Sequence, residues 1–111
     1  MKETVDFFLR APMCLELIES KQQALQIGWR DYTRGETGFE VEIKGGAYAD
    51  FTKVNTTEAG ATTYLIDNLT EGTTYNVRMR AVDSKGHYSE YTPVTVMKTR
   101  PKQVEMVDVN N

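Results

Sequence analysis

Apolar and polar residues alternate one by one, in short runs that recur at regular spacing along nearly the whole chain. This period of two is the strongest constraint on the fold. Successive side chains of a β-strand point to opposite faces, so such a run asks for a sheet with one buried side. The helical period is nearly absent. Leu15 and Leu17 alternate with Cys14, Glu16 and Ile18, and the run stops at Glu19-Ser20-Lys21. Leu25, Ile27 and Trp29 alternate with Gln26, Gly28 and Arg30; Phe39, Val41 and Ile43 alternate with Glu40, Glu42 and Lys44, up to Gly45-Gly46. Phe51–Val54 reads as a short, weaker strand, and Tyr64 and Ile66 mark another. Tyr75, Val77, Met79 and Ala81 alternate with Asn76, Arg78 and Arg80, and Val94–Met97 forms the last run, with its inward face undecided.

Turn chemistry separates these runs. Residues 31–38 form a polar, glycine-bearing loop, 55–61 a Thr-rich one, and 83–87 a turn by composition. Seven short strands in roughly 90 residues predict an all-β, immunoglobulin-like antiparallel sandwich of two sheets. The four best runs offer twelve inward side chains, from Leu15 to Ile43 and from Tyr75 to Ala81. Burial of each large one contributes ~1.5–3 kcal/mol before chain entropy is counted.

The segment Leu69-Thr70-Glu71-Gly72-Thr73-Thr74-Tyr75-Asn76-Val77-Arg78-Met79-Arg80-Ala81 resembles the signature of fibronectin type III domains. That family places a leucine and a glycine turn before a tyrosine that opens a strand. The resemblance implies a tyrosine corner, in which the Tyr75 ring is buried and its hydroxyl bonds to backbone a few residues upstream. Ala11-Pro12 is similar to the family's approach to its first strand, Trp29 to its core tryptophan, and Phe39 stands where a tyrosine is usual. Gly86, Ser89 and Thr99-Arg100-Pro101 complete the likeness, which spans 11–101. It implies a structural core that includes Trp29, Phe39, Leu69, Tyr75 and Val77. Residues 1–10 and 102–111 are then linkers, edge extensions or a tail.

No catalytic, cofactor-binding or metal-binding residue is expected. The sole histidine, His87, has no second histidine or cysteine pair beside it, and reads as a solvated loop residue. Cys14, the sole cysteine, forbids an intrachain disulfide and is expected to be buried or half-buried. Glu40 and Glu42 share the outward face of their strand and are expected to be solvated. Arg78 and Arg80, on the outward face of the next strand with Arg30 near on the other sheet, are expected to be solubilising, with a patch for an acidic partner as the alternative. A net charge of −3 offers no basic field for nucleic acid. No apolar stretch reaches membrane-spanning length, and the first ten residues do not fit a signal peptide.

Candidate partner contacts are Arg34 and Glu36, in an Arg-Gly-Glu tripeptide that differs from the Arg-Gly-Asp of one fibronectin module in acid and in loop, together with His87 and the rim aromatics Tyr88 and Tyr91. Asn55-Thr56-Thr57 and Asn68-Leu69-Thr70 fit the glycosylation sequon. The function these observations imply is a non-catalytic, monomeric interaction or spacer module of a larger extracellular or cell-surface protein, active in protein binding or adhesion. The alternatives are an accessory carbohydrate-associated domain of a secreted glycan-degrading enzyme, which needs a coplanar strip from Tyr32, Tyr48, Tyr88 and Tyr91, and a phage or virion surface decoration.

Overall fold

The computed structural model describes residues 4–5 and 9–102. Among them, strands run in the order β1 (Thr4–Val5), β2 (Met13–Ser20), β3 (Leu25–Arg30), β4 (Gly38–Gly45), β5 (Tyr48–Thr56), β6 (Thr63–Ile66), β7 (Thr74–Val82), β8 (His87–Tyr88) and β9 (Thr95–Lys98). Seven have four residues or more, as the alternation predicts, and β1 and β8 are two-residue additions. One sheet has the order β1-β8-β7-β4-β5, with β9 also on β7, and the other β2-β3-β6. All pairs are antiparallel except β1 with β8, where Thr4 lies opposite His87 and Val5 opposite Tyr88. The rest of 1–8, and 103–111, fall outside the described residues, and with them most of the two expected terminal segments.

The inner faces meet in one cluster. Leu25, Ile27 and Trp29 from β3 and Ile66 from β6 pack on Phe39, Val41, Ile43, Tyr75, Val77, Met79, Ala81 and Met97 from the facing sheet, with Leu69 closing one end. Met97, directly opposite Tyr75, is the inward residue of β9, and Val96 is 64% exposed. Trp29 meets Phe39 edge-on across the sheets, with ring centroids 5.8 Å apart at 66°, the arrangement that ring quadrupoles favour. The backbone N–H of Thr70 donates to the Tyr75 hydroxyl at 2.8 Å, so the tyrosine corner forms. Gly45 and Gly46, at φ +137° and +54°, turn the chain over this ring; a Cβ on Gly46 would sit 2.6 Å from the Tyr75 oxygen.

Three expectations fail locally. β2 holds an extra residue against β3 in two places, between Met13 and Glu16 and between Leu17 and Glu19. Such bulges break the period of two. Leu15 is only half-buried, and Leu17, opposite buried Ile27, stays 36% exposed on a strand with no further neighbour. Cys14 lies at the first bulge with φ 59° and is exposed, not buried. The weak strand at 51–54 is in fact nine residues long, Tyr48–Thr56; its pairing with β4 shifts register twice, which hides the alternation.

Candidate functional site

At the end of the sandwich where β3 and β7 finish, the loops 31–37 and 83–86 stand side by side, joined by the Thr37 N–H bond to Val82 O at 2.8 Å. The acids of these loops serve the backbone. Asp31 Oδ1 accepts from Thr33 N at 3.0 Å. Glu36 Oε2 accepts from Gly60 N at 3.0 Å, which ties the 57–60 loop to its neighbour. Asp83 Oδ1 accepts from the N–H groups of Lys85 and His87, both at 2.9 Å, and its Oδ2 lies 2.9 Å from His87 Nδ1. These bonds, led by that from the His87 N–H, hold the Asp83 carboxyl below its ordinary range. His87 is therefore half-buried and paired, not a free loop residue. Between the loops lies a notch of about 300 Å³ lined by Leu9, Arg34, Gly35, Asp83, Ser84, Lys85 and His87.

The other candidates, Tyr88 and Tyr91, belong to a second constellation on the outer face of the larger sheet. Glu40 lies opposite Arg80, and Glu42 opposite Arg78, on neighbouring strands. Arg80 Nε donates to Glu40 Oε1 at 2.9 Å, and Arg78 donates to Glu42 Oε1 from Nε at 2.8 Å and from its terminal nitrogen at 2.7 Å. The Arg78 guanidinium lies 4.0 Å from the Phe51 ring centroid and 3.8 Å from that of Tyr91; the Arg80 guanidinium lies 3.7 Å from Tyr88 and 4.7 Å from Tyr91. The order is thus Phe51, Arg78, Tyr91, Arg80, Tyr88, aromatic and cation in turn. The Tyr91 hydroxyl donates to Glu42 Oε2 at 2.9 Å, and burial first, then this bond, pushes its pKa up to about 12.

The solvated face expected for these charges is corrected by this cover. Glu40 and Glu42 are each 8% exposed, Arg80 6%. Arg30 lies apart at the end of β3, its guanidinium 3.4 Å from the Tyr32 hydroxyl. Tyr88 and Tyr91 are half-buried. The segment that carries them is clamped to β7: Ser89 Oγ accepts from Ala81 N at 2.8 Å and Thr92 Oγ1 from Met79 N at 3.0 Å, while Ser89 N and Thr92 N donate back to the carbonyls of Ala81 and Met79. Hydroxyls here replace the carbonyls of a missing strand. Phe51, Glu40 and Glu42 carry no contact expectation from the sequence, and the alternation does not show that they join Arg78 and Arg80 in one stack. The signal available was Glu-x-Glu facing Arg-x-Arg, followed by Tyr-Ser-x-Tyr-Thr.

Of the contacts read from sequence, Arg34 and His87 share the notch, Glu36 is committed to Gly60, and Tyr88 and Tyr91 form the stack. Trp29, Phe39, Leu69, Tyr75 and Val77 all lie in the buried cluster. Among the described residues no group of three His, Cys, Asp or Glu side chains could hold a metal, and no helix is long and apolar enough to cross a membrane.

The two-sheet sandwich recurs in solved structures. A two-domain fibronectin type III segment of chicken tenascin superposes with a TM-score of 0.70 at 18% identity, over 80% of this chain and 49% of that one. Domains A168–A170 of titin give 0.70 at 19%, over 82% and 32%. A β-1,2-glucanase from Parabacteroides distasonis gives 0.73 at 15%, over 92% and 14%. At these identities the likeness concerns the fold. In sequence, the description of the fibronectin type III domain matches residues 10–97, the span that holds the tyrosine corner, the Trp29 core and both sheets, and the chain belongs to that family.

Proposed function

We propose that the chain is a non-catalytic module strung in series within a larger extracellular or surface protein, where it spaces its neighbours and meets a protein partner. The observation that supports this is where the backbone enters and leaves. Arg10 N–H donates to Thr33 Oγ1 beside the 31–37 loop. Arg100 N–H donates to Lys21 O, and Gly72 N–H to Arg100 O, beside the turns at the other end. A domain traversed from pole to pole transmits position along a string. The nine residues of β7, at ~3.3 Å each, set the two attachment points ~30 Å apart. A fusion carrying a fluorescent protein on either side tests this by energy transfer and small-angle scattering. The expected result is a monomer with its two flanks at opposite ends; both flanks at one end would overturn the reading, as would turnover of a glycan or ester by the pure chain.

The carbohydrate-associated alternative has one supporting observation, the glucanase whose fold this chain shares. The strip it needs has little to build on. Tyr91 has guanidinium groups on two sides, Tyr88 has one, and Tyr48 packs against the core, which leaves Tyr32 as the exposed ring of the four.

A further inference from the structure

The notch between the 31–37 and 83–86 loops sorts its charges in an uneven way. Glu36 and Asp83 are half-buried, and backbone N–H groups already satisfy them. Arg34 and Lys85 are exposed, and neither side chain has an ion pair or hydrogen bond among the described residues. Both line the notch, together with the buried side chain of Leu9. The Arg-Gly-Glu tripeptide therefore withdraws its acid toward Gly60 and presents its base. Glu58, the exposed acid of this pole among the described residues, does not line the notch.

From this we infer that the notch binds a carboxylate side chain of a partner protein, held between Arg34 and Lys85. Charge complementarity carries the assignment. Two exposed cations without ion pairs among the described residues, flanking a concavity whose own acids are satisfied, fit an anionic side chain. The chain as a whole is negative, at −3. It repels an acidic segment at long range, so any capture of one is local. The inference rests on the interaction-module reading above and names its partner chemistry.

The test is a chemical-shift titration of the labelled chain with an acetylated peptide of alternating Glu and Leu, beside its Gln-and-Leu counterpart and inorganic phosphate. The Glu peptide should move the amides of Gly35, Ser84 and Lys85 and leave the Arg78–Tyr91 stack unmoved. Arg34→Gln and Lys85→Gln should each weaken binding about two- to fivefold, the range of an exposed ion pair. Both substitutions lie on exposed loops, so unchanged core shifts verify the fold of each variant. Equal binding of the Gln peptide or of phosphate, shifts confined to another surface, or a double variant that binds like the parent would each overturn the inference. None of these would alter the pole-to-pole distances of the fusion protein, so the two readings fail separately.

Discussion

Tyr75 and Tyr91 show two opposite uses of one side chain. Tyr75 puts its ring into the core and lets its oxygen receive the Thr70 N–H. Tyr75→Phe keeps the ring and orphans that N–H, so thermal or urea unfolding should register a loss of ~1–3 kcal/mol. Tyr91 lies outside, between two guanidinium groups, with its hydroxyl donating to Glu42. Its folded pKa of about 12 exceeds the ordinary 10, so the protonated phenol favours the folded state. That contribution is complete below pH 10 and is lost as the pH rises from 10 to 12. Urea midpoints of the parent should fall across this window, and those of Tyr91→Phe should fall less. Equal slopes for the two proteins would remove Tyr91 from the alkaline transition.

Among the elements, β4 is buried on both faces from Gly38 to Ile43. Phe39, Val41 and Ile43 face the core, while Glu40 and Glu42 lie under the stack. Glu40→Leu leaves the Arg80 guanidinium buried without its carboxylate, and should cost ~3–5 kcal/mol; adding Arg80→Leu should recover most of that in a denaturation series. A double variant no better than the single would mean that the pair is not the coupled unit. Ser89→Ala should cost ~1–3 kcal/mol by the same measurement, because it strips the Ala81 N–H of its acceptor. The strands themselves were legible from alternation, because each buried position repeats every second residue. The cover on Glu42 was not. Alternation tells which face a side chain is on, but the Tyr91 that shields it comes 49 residues downstream. The bulges in β2 and β5 erase the same signal, so alternation alone puts Leu17 inside and shortens β5. Arg34 and His87 could each be named as loop residues, yet only the pairing of β4 with β7 sets their loops side by side.

For the whole molecule, the open edges are guarded. β6 and β9 have four residues each, and β2 and β5 carry register breaks, all of which discourage a second chain from adding a strand. The two sheets are joined mainly by interdigitated side chains, so their separation and the loss of the core are one event. Trp29 lies at that seam against Phe39, and its indole N–H has no hydrogen-bond partner among the described residues. Trp29→Ala should therefore cost ~3–5 kcal/mol through the cavity it leaves, read from the shift of the urea midpoint. The lone indole of the chain is also a built-in optical gauge. Shielded from water and from any donor–acceptor pairing, it should fluoresce toward the blue, and its emission should redden at the moment the two layers part.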